Sequence, residues 1–332
     1  MISNEMVYKV NISPYSLPCN VTAELTVVSS LEALEKCSCR HKILLMMGPI
    51  CSEQLMPKNF VFYNPDHHKR IYALLEEKQP AAIIKATLKN PELVGAMHPF
   101  PVIEDGDFNI PSVYCEDSVG HDIIKEKGDI FSLTTIAKRI PSSACNVVAR
   151  KNQDAAQKIV ICAHIDAYGD SPGASDNASG TTVLLLLAEM LSYSSIQIGI
   201  EIIAINGEDN YSAVGEKDYL TRYSTSLHNI ALVINIDDIG YYKGDTAYSL
   251  YECSHEIQME ADNIFRNYPE IIPGEPWYQS DHMVFVQKYI PAMAITSEHL
   301  VELMASITHS PKDTPDIVSC ALASITEFYH TT

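Results

Sequence analysis

The sequence has little positive charge for its length. Its 332 residues include 23 Lys and Arg against 42 Asp and Glu, which gives a formal net charge of −19. A protein that binds nucleic acid needs a basic patch to meet the phosphate backbone, and Lys and Arg form no cluster along this chain. The composition therefore excludes nucleic acid as a partner and is typical of an acidic, self-repelling surface.

Long apolar runs, a leader segment and paired cysteine motifs are also lacking. The longest apolar stretch, from Val183 to Leu191, is too short to span a bilayer. The first residues, MISNEMVYKVNISPYS, have neither the basic nor the apolar part of a signal peptide. The nine cysteines are odd in number and dispersed, with no CxxC pair, which fits a reducing compartment better than a disulfide framework. We therefore expect a cytoplasmic protein without a membrane partner.

The two halves of the chain have different patterns. From about Lys9 to Asp129 short β-like runs alternate with turn formers, and His67 and His68 lie in one such turn-rich segment. Adjacent residues point to different sides of a regular element, so we interpret this pair as part of a surface loop and not as metal ligands. From about Phe131 onward, apolar strands alternate with helices, which predicts an α/β fold with a mainly parallel sheet covered by helices.

The predicted elements of the second half have the following bounds. Strands are expected at Lys158–His164, Gly199–Asn206, Ala231–Asp237 and Ile290–Thr296, and helices at Asn177–Ser192, Val214–Tyr223, Ser254–Tyr268, around Ser280–Tyr289 and from about Thr314.

Several polar residues stand where these strands end. His164 ends one strand, Glu208 and Asp209 follow another, and Asp237 ends a third. Open α/β sheets gather their sites at the carboxyl ends of the strands, so we expect these side chains to converge. Imidazoles and carboxylates without a thiolate suit zinc, and less well manganese or cobalt. In the H-x-D spacing Asp166 lies on the same side as His164 and can orient the site without binding the metal.

The segment AHIDAYGDSPGASDNASGTTVLLLLAEML, from Ala163 to Leu191, resembles the long metal-binding motif of the M28 zinc peptidases, which include bacterial leucyl aminopeptidases and aminopeptidase Y. The later blocks NGED, INIDDIG, SDHMVF and ITHSPKDTPD follow in the order of that family. The resemblance covers the chain from about Lys158 to its end. It implies the zinc-peptidase α/β fold (phosphorylase/hydrolase-like) and a site with two zinc ions that hydrolyses peptides, most simply by removing N-terminal residues.

Site roles carry over from the resemblance position by position. It implies one metal on His164 and Asp237, another on Asp209 and His309, and Asp176 as the bridge. Glu208 falls where the family has its general base, and Asp209 replaces a second glutamate that is commoner there. The block Ser280–His282 supports the pocket, Trp277 and Tyr278 are candidates for contacting substrate, and loops around Tyr211 and Tyr241 are expected to shape specificity. The resemblance also predicts a cis peptide bond between Asp176 and Asn177.

The first half resembles the later part of a protease-associated (PA) domain, a β-rich unit that relatives insert before the H-x-D strand. AAIIKA, from Ala81 to Ala86, and DFNIPSVYCEDSVGHDI, from Asp107 to Ile123, carry this likeness. We therefore predict a PA-like domain over residues 20–128 and a catalytic domain made of residues 1–19 and 129–332. A helical segment that relatives have ahead of this insert is short or missing, so the chain is expected to be trimmed or reduced there.

Two other functions stay open. Relatives on the same fold act as glutaminyl cyclases, transferases that typically use one zinc, and others have lost their metals and act as receptors. The expected partners are peptides, and self-association into a homo-oligomer stays open.

Overall fold

A computed structural model describes residues 6–60, 64–90, 97–126, 130–210 and 213–319. The chain divides into two compact units, Met1–Ser142 and Ser143–Thr332. Within the described ranges, no helix combines the length and apolarity that crossing a membrane requires.

The first unit contains a six-stranded sheet in the order β1-β5-β4-β3-β2-β6. Strands β2 to β5 are parallel, and the edge strands β1 and β6 are antiparallel to their neighbours. The elements are β1 (Asn11–Ile12), β2 (Cys19–Val28), α1 (Leu31–Lys36), β3 (Ile43–Met47), α2 (Asp66–Lys78), β4 (Ala82–Thr87), β5 (Ser112–Glu116), α3 (Asp117–Lys125) and β6 (Ile130–Thr135).

Alternation along β3 separates the two cores of this unit. Leu44 and Met46 belong to the cluster that includes residues of α1 and α2, whereas Leu45 belongs to the cluster that includes Ile123 of α3. Successive side chains of a strand point to opposite faces of the sheet, so a continuously apolar strand serves both cores.

Two predictions for the first half are wrong. His67 and His68 lie in the first turn of helix α2, not in a loop, and His68 is buried. The predicted domain boundaries also differ from the observed division after Ser142, because β1 pairs with β5 and β6 pairs with β2. Both flanking segments that we assigned to the catalytic domain thus supply strands to the sheet of the first unit.

The second unit contains a seven-stranded sheet in the order β12-β11-β13-β10-β8-β9-β7. Four of its five inner strands, β13, β10, β8 and β9, run parallel, and the fifth, β11, is antiparallel to β13. The elements are β7 (Val147–Lys151), β8 (Lys158–His164), α4 (Gly180–Tyr193), β9 (Gly199–Ile205), α5 (Val214–Arg222), β10 (Ile230–Ile236), β11 (Thr246–Tyr251), α6 (His255–Phe265), β12 (Ile271–Pro273), α7 (His282–Val286), β13 (Ala292–Ser297) and α8 (Leu300–Ser306).

The predicted mainly parallel, helix-covered sheet is confirmed for this unit, and the strand bounds differ from the prediction by at most two residues. The last predicted helix is observed only as a short 3₁₀ turn at Pro315–Ile317, and its continuation from residue 320 lies outside the described residues.

A cavity of about 330 Å³ lies at the amino ends of β8 and β9. The buried carboxylate of Glu201 accepts from Arg150 Nε at 2.5 Å and from Lys158 Nζ at 3.0 Å. Burying a carboxylate is costly unless it is paired, so these cations are needed to stabilise Glu201. The charged residues that line this cavity therefore stabilise the amino edge of the sheet, which is opposite to the carboxyl edge where His164 lies.

Candidate metal centre

Parallel strands bring the predicted ligands to one edge of the sheet. His164 is the last residue of β8, Asp237 directly follows β10, and Asp209 lies in the loop after β9. Asp176 lies in the helical turn Ala174–Ser179 that leads into α4, and His309 follows α8. The carboxyl ends of parallel strands meet at the same edge, which is the usual location of sites in open α/β sheets.

Asp176 lies between the two histidines. Its Oδ1 is 2.9 Å from Nε2 of His164, and its Oδ2 is 3.1 Å from Nε2 of His309. Oδ1 of Asp237 is 3.3 Å from the same nitrogen of His164, and Oδ1 of Asp209 is 2.6 Å from that of His309. Each half of the site thus has one imidazole, one carboxylate of its own and one oxygen of Asp176.

The donor atoms fit divalent metal ions. Nε2 of His164, Oδ2 of Asp209 and Oδ1 of Asp237 are buried and have no hydrogen-bond partner among the described residues. Buried polar atoms are seldom left in this state, because each costs free energy unless a partner or an ion satisfies it. Imidazole nitrogen and carboxylate oxygen are the ligands that zinc takes at hydrolytic sites. The residues present can therefore hold the metals that the sequence predicts.

Negative charge is concentrated at this site. Burial raises the pKa of Asp209, and the nearby Asp176 adds to this effect. Burial alone lowers the pKa of His164 and of His309, but the carboxylates beside them raise both values well above the ordinary one. Such a cluster attracts positive charge, which protons or divalent cations can supply.

The turn around Asp176 is held by hydrogen bonds to distant parts of the chain. The main-chain N–H groups of Ser175 and Asp176 donate to the two carboxylate oxygens of Asp313, at 2.7 and 3.1 Å. Asn177 donates from Nδ2 to the carbonyl of Ile236 and accepts at Oδ1 from the N–H of Gly180. The peptide bond between Asp176 and Asn177 is cis, so this prediction is confirmed.

Asp166 organises the loop that carries Glu208 and Asp209. Its Oδ1 accepts from the main-chain N–H of Gly207 at 2.7 Å and of Glu208 at 3.2 Å, and its Oδ2 accepts from Asn210 Nδ2 at 2.8 Å. It is the main-chain carbonyl of Asp166, not its carboxylate, that lies 3.1 Å from Nδ1 of His164. Asp166 therefore orients the general-base candidate Glu208 through its carboxylate and the predicted metal ligand His164 through its main-chain carbonyl.

Glu208 has an environment suited to proton transfer. Burial raises the pKa of its carboxyl well above the ordinary value, and repulsion from Asp209 and Asp281 adds to this effect, while His164 opposes it. A general base works best when its pKa lies close to the working pH.

A chain of polar contacts leads from Asp237 to the loop before α7. Ser280 donates from Oγ to Oδ2 of Asp237 at 2.6 Å and accepts from Nδ2 of Asn235 at 2.9 Å. Asn235 also lies 3.4 Å from Nδ1 of His282, whose Nε2 is 3.0 Å from the carbonyl of Trp277. Burial lowers the pKa of His282 to about 4, so its ring is neutral and can accept at Nδ1 while donating at Nε2.

The residues predicted to contact substrate or to shape its pocket differ in how exposed they are. The main chain of Trp277 is anchored by the hydroxyl of Tyr251, and its indole nitrogen is buried without a hydrogen-bond partner among the described residues. Tyr278 is 69% exposed, so its ring is available to a ligand. Tyr241 is buried and donates to Glu302, and Tyr211 lies outside the described residues.

Three supporting residues were not assigned specific contacts from the sequence. Asn235 stands as a polar residue within the apolar strand ALVINID, which is the kind of signal that could have identified it. Asp313, which binds the turn at Asp176, and Tyr168, whose ring stacks on His309, have no such signal, because these contacts are with residues more than 130 positions away in the chain.

Comparison with known proteins agrees with this geometry. The model of peptidase family M28 matches residues 146–331, more than half of the 332 residues. The alkaline phosphatase isozyme conversion protein of Escherichia coli is 34% identical over 108 residues, which cover 28% of this chain and 31% of that protein. Aminopeptidase YwaD of Bacillus subtilis is 26% identical over 141 residues, which cover 42% of this chain and 31% of that protein. The chain thus spans about a third of the length of these curated relatives.

Solved structures share the fold. An aminopeptidase from Aneurinibacillus sp. strain AM-1 superimposes with a TM-score of 0.64 at 20% identity, covering 94% of this chain and 73% of that one. BSAP, a zinc aminopeptidase from Bacillus subtilis, gives a TM-score of 0.65 at 18% identity, covering 93% of this chain and 74% of that one. The match to the family model, together with this fold and the convergence of the motif residues, shows that the chain belongs to peptidase family M28.

Proposed function

We propose that this protein is a zinc-dependent aminopeptidase that binds two ions and removes the N-terminal residue of peptides. The observation that carries the proposal is the position of Asp176, which offers one carboxylate oxygen to the half of the site with His164 and the other to the half with His309. A carboxylate with an imidazole at each oxygen is suited to bridging two cations. The names of the relatives, which include zinc metalloproteases and aminopeptidases, support zinc and this reaction.

The proposed mechanism assigns the proton transfers to Glu208. Bound zinc supplies Lewis acidity, which polarises the scissile carbonyl and lowers the pKa of water. The Glu208 carboxylate takes a proton from the attacking water and delivers it to the nitrogen of the leaving amine. Asp166 holds the Glu208 main chain in place for both steps, and Ser280 fixes the carboxylate of Asp237.

The first unit is proposed to be a PA-like domain that restricts access of substrates and has no chemistry of its own. Support comes from the resemblance over residues 81–123 and from the mixed sheet with β2 to β5 in parallel. The dispersed set of nine cysteines supports a cytoplasmic location as part of the same proposal.

The test is a panel of aminoacyl p-nitroanilides and dipeptides, each with a free or an acetylated N-terminus, given to zinc-loaded protein. We expect hydrolysis of the free-amine substrates alone. Glu208→Gln keeps the size of the side chain but removes the base, so the rate is expected to fall about 10²- to 10⁴-fold with the zinc content unchanged. Glu189→Gln, at an exposed position on α4, is the matched control.

Three outcomes contradict the proposal. Unchanged hydrolysis in Glu208→Gln rules out the assigned base. One tightly bound zinc together with cyclisation of N-terminal glutamine indicates a glutaminyl cyclase. A protein that binds peptides but binds no zinc and forms no hydrolysis products indicates a receptor.

A further inference from the structure

The two histidines of the metal centre differ in what holds their second nitrogen. Nδ1 of His164 lies 3.1 Å from the main-chain carbonyl of Asp166, which can accept its proton. No hydrogen bond to Nδ1 of His309 is found among residues 6–60, 64–90, 97–126, 130–210 and 213–319. Histidines that bind metals almost always donate their other N–H to a carbonyl, a carboxylate or water, because that bond fixes the ring. Among these residues, His309 thus has no hydrogen-bond partner that fixes its ring at Nδ1.

The ring of Tyr168 lies against the His309 ring. The two centroids are 4.7 Å apart and the planes are inclined by only 14°, which is a stacked arrangement. Both values lie in the range that aromatic pairs favour. Asp176 and Asp209 approach the same ring at Nε2, at 3.1 and 2.6 Å. Stacking on one face and carboxylates at one edge together define the plane of the imidazole.

The loop that carries Tyr168 is itself well held. Asp166, two residues earlier, is bonded to the loop after β9 through three hydrogen bonds. The carbonyl of Tyr168 accepts from the N–H of Ser171 at 3.0 Å, which closes a tight turn. His309 has a φ of 60°, a left-handed conformation that is uncommon for a residue with a side chain. The Tyr168 ring thus lies on a well-held loop, whereas the predicted metal ligand His309, against which it stacks, lies on a short irregular segment.

We propose that Tyr168 is a positioning residue for His309, and that its ring takes over the orienting role that a hydrogen bond to Nδ1 has elsewhere. This inference rests on the proposed metal centre but not on the identity of the substrate. An imidazole that binds a cation becomes electron-poor, and the negative face of a tyrosine ring stabilises such a partner. The effect is confined to the half of the site formed by Asp209 and His309.

The experiment measures zinc affinity by competition with a chromophoric chelator, in the absence of any substrate. An aromatic pair contributes an amount that corresponds to a roughly 2- to 12-fold change in an equilibrium constant. Tyr168→Leu is therefore expected to weaken one of the two zinc equivalents by about that factor, whereas Tyr168→Phe, which keeps the ring, stays within about twofold of the wild type. With cobalt in place of zinc, the visible absorption of one equivalent is expected to change in Tyr168→Leu alone.

Two further variants assign the effect. Tyr289→Leu removes a tyrosine that is 85% exposed and precedes β13 at the amino edge of the sheet, so no change in affinity is expected. In His309→Ala, where one equivalent is already lost, adding Tyr168→Leu is expected to leave the remaining equivalent unchanged, since the two substitutions act through the same contact.

Two results overturn the inference. If Tyr168→Leu keeps both zinc affinities but raises KM, the ring contacts substrate and does not position His309. If it weakens both equivalents alike and lowers the melting temperature of the metal-free protein, its role is general packing. A wild type that binds zinc twice but hydrolyses no peptide contradicts the proposed function alone and leaves this test intact.

Discussion

The substitution Ser280→Gly removes a hydroxyl that contacts a predicted metal ligand and at the same time relieves an unfavourable backbone conformation. Ser280 has a φ of 95°, a region that glycine adopts readily and residues with a Cβ avoid. Its hydroxyl nevertheless donates to the carboxylate of Asp237 at 2.6 Å while accepting from Asn235. A strained position that keeps a polar side chain indicates that the hydroxyl matters more than the backbone preference.

The structure predicts that the glycine and alanine variants of Ser280 lose zinc affinity alike but differ in stability. A hydrogen bond to a charged group is worth about 1.5–3 kcal/mol, and loss of a residue that orients a metal ligand typically costs about 10- to 100-fold in metal affinity. Ser280→Gly and Ser280→Ala both lack the hydroxyl, so we expect both to lose zinc affinity by that factor. Only glycine relieves the backbone, so the metal-free glycine variant should be more stable than the alanine variant by about 1 kcal/mol.

The assay combines chelator competition with thermal unfolding of the metal-free proteins. About 1 kcal/mol corresponds to about 2–4 °C in melting temperature for a unit of this size. Tyr289 is the matched control, because it has a φ of 58° and is 85% exposed, so its glycine and alanine variants should show the same order of stability with unchanged zinc affinity. Wild-type zinc affinity in both Ser280 variants would refute the role assigned to the hydroxyl.

Two other expectations concern buried polar groups. Burial lowers the pKa of Lys85 to about 7 from an ordinary 10.5, so between these values the unfolded chain binds more protons and the unfolding free energy rises with pH, by up to about 1.4 kcal/mol per pH unit. Lys85→Met should remove that rise, which urea unfolding at pH 7 and at pH 9 measures. The same change in unfolding free energy between the two pH values in both proteins would contradict this expectation. Asp313→Asn places an amide donor against one of the two N–H groups of Ser175 and Asp176, so it should destabilise the metal-free protein by about 1–3 kcal/mol and weaken zinc binding, as calorimetry can measure. Unchanged zinc binding there would show that the turn keeps its shape without Asp313.

The positions of the predicted ligands were inferred partly from regular elements and partly from the resemblance, which alone indicated Asp176 and His309. His164 and Asp237 could be located since each terminates an apolar run, and such runs are buried parallel strands whose carboxyl ends converge. The cis bond after Asp176 followed from the resemblance alone.

Other features depend on contacts between distant parts of the chain. The stacking of Tyr168 on His309 and the bond from Ser280 to Asp237 join segments that no local pattern connects. Helix α2 was missed because Pro65 and Asp66 are turn formers as well as residues that begin helices, although Ile71, Leu74 and Leu75 have the spacing of a buried helical face. The domain boundary was misplaced because strand pairing at the sheet edges is not visible in sequence.

The measurement that tests the account most directly is an anomalous difference map from a crystal of the zinc-loaded protein, collected on both sides of the zinc absorption edge. The account predicts two peaks, one between His164, Asp176 and Asp237 and the other between His309, Asp176 and Asp209. A single peak, or none at these residues while zinc is bound elsewhere, would contradict it.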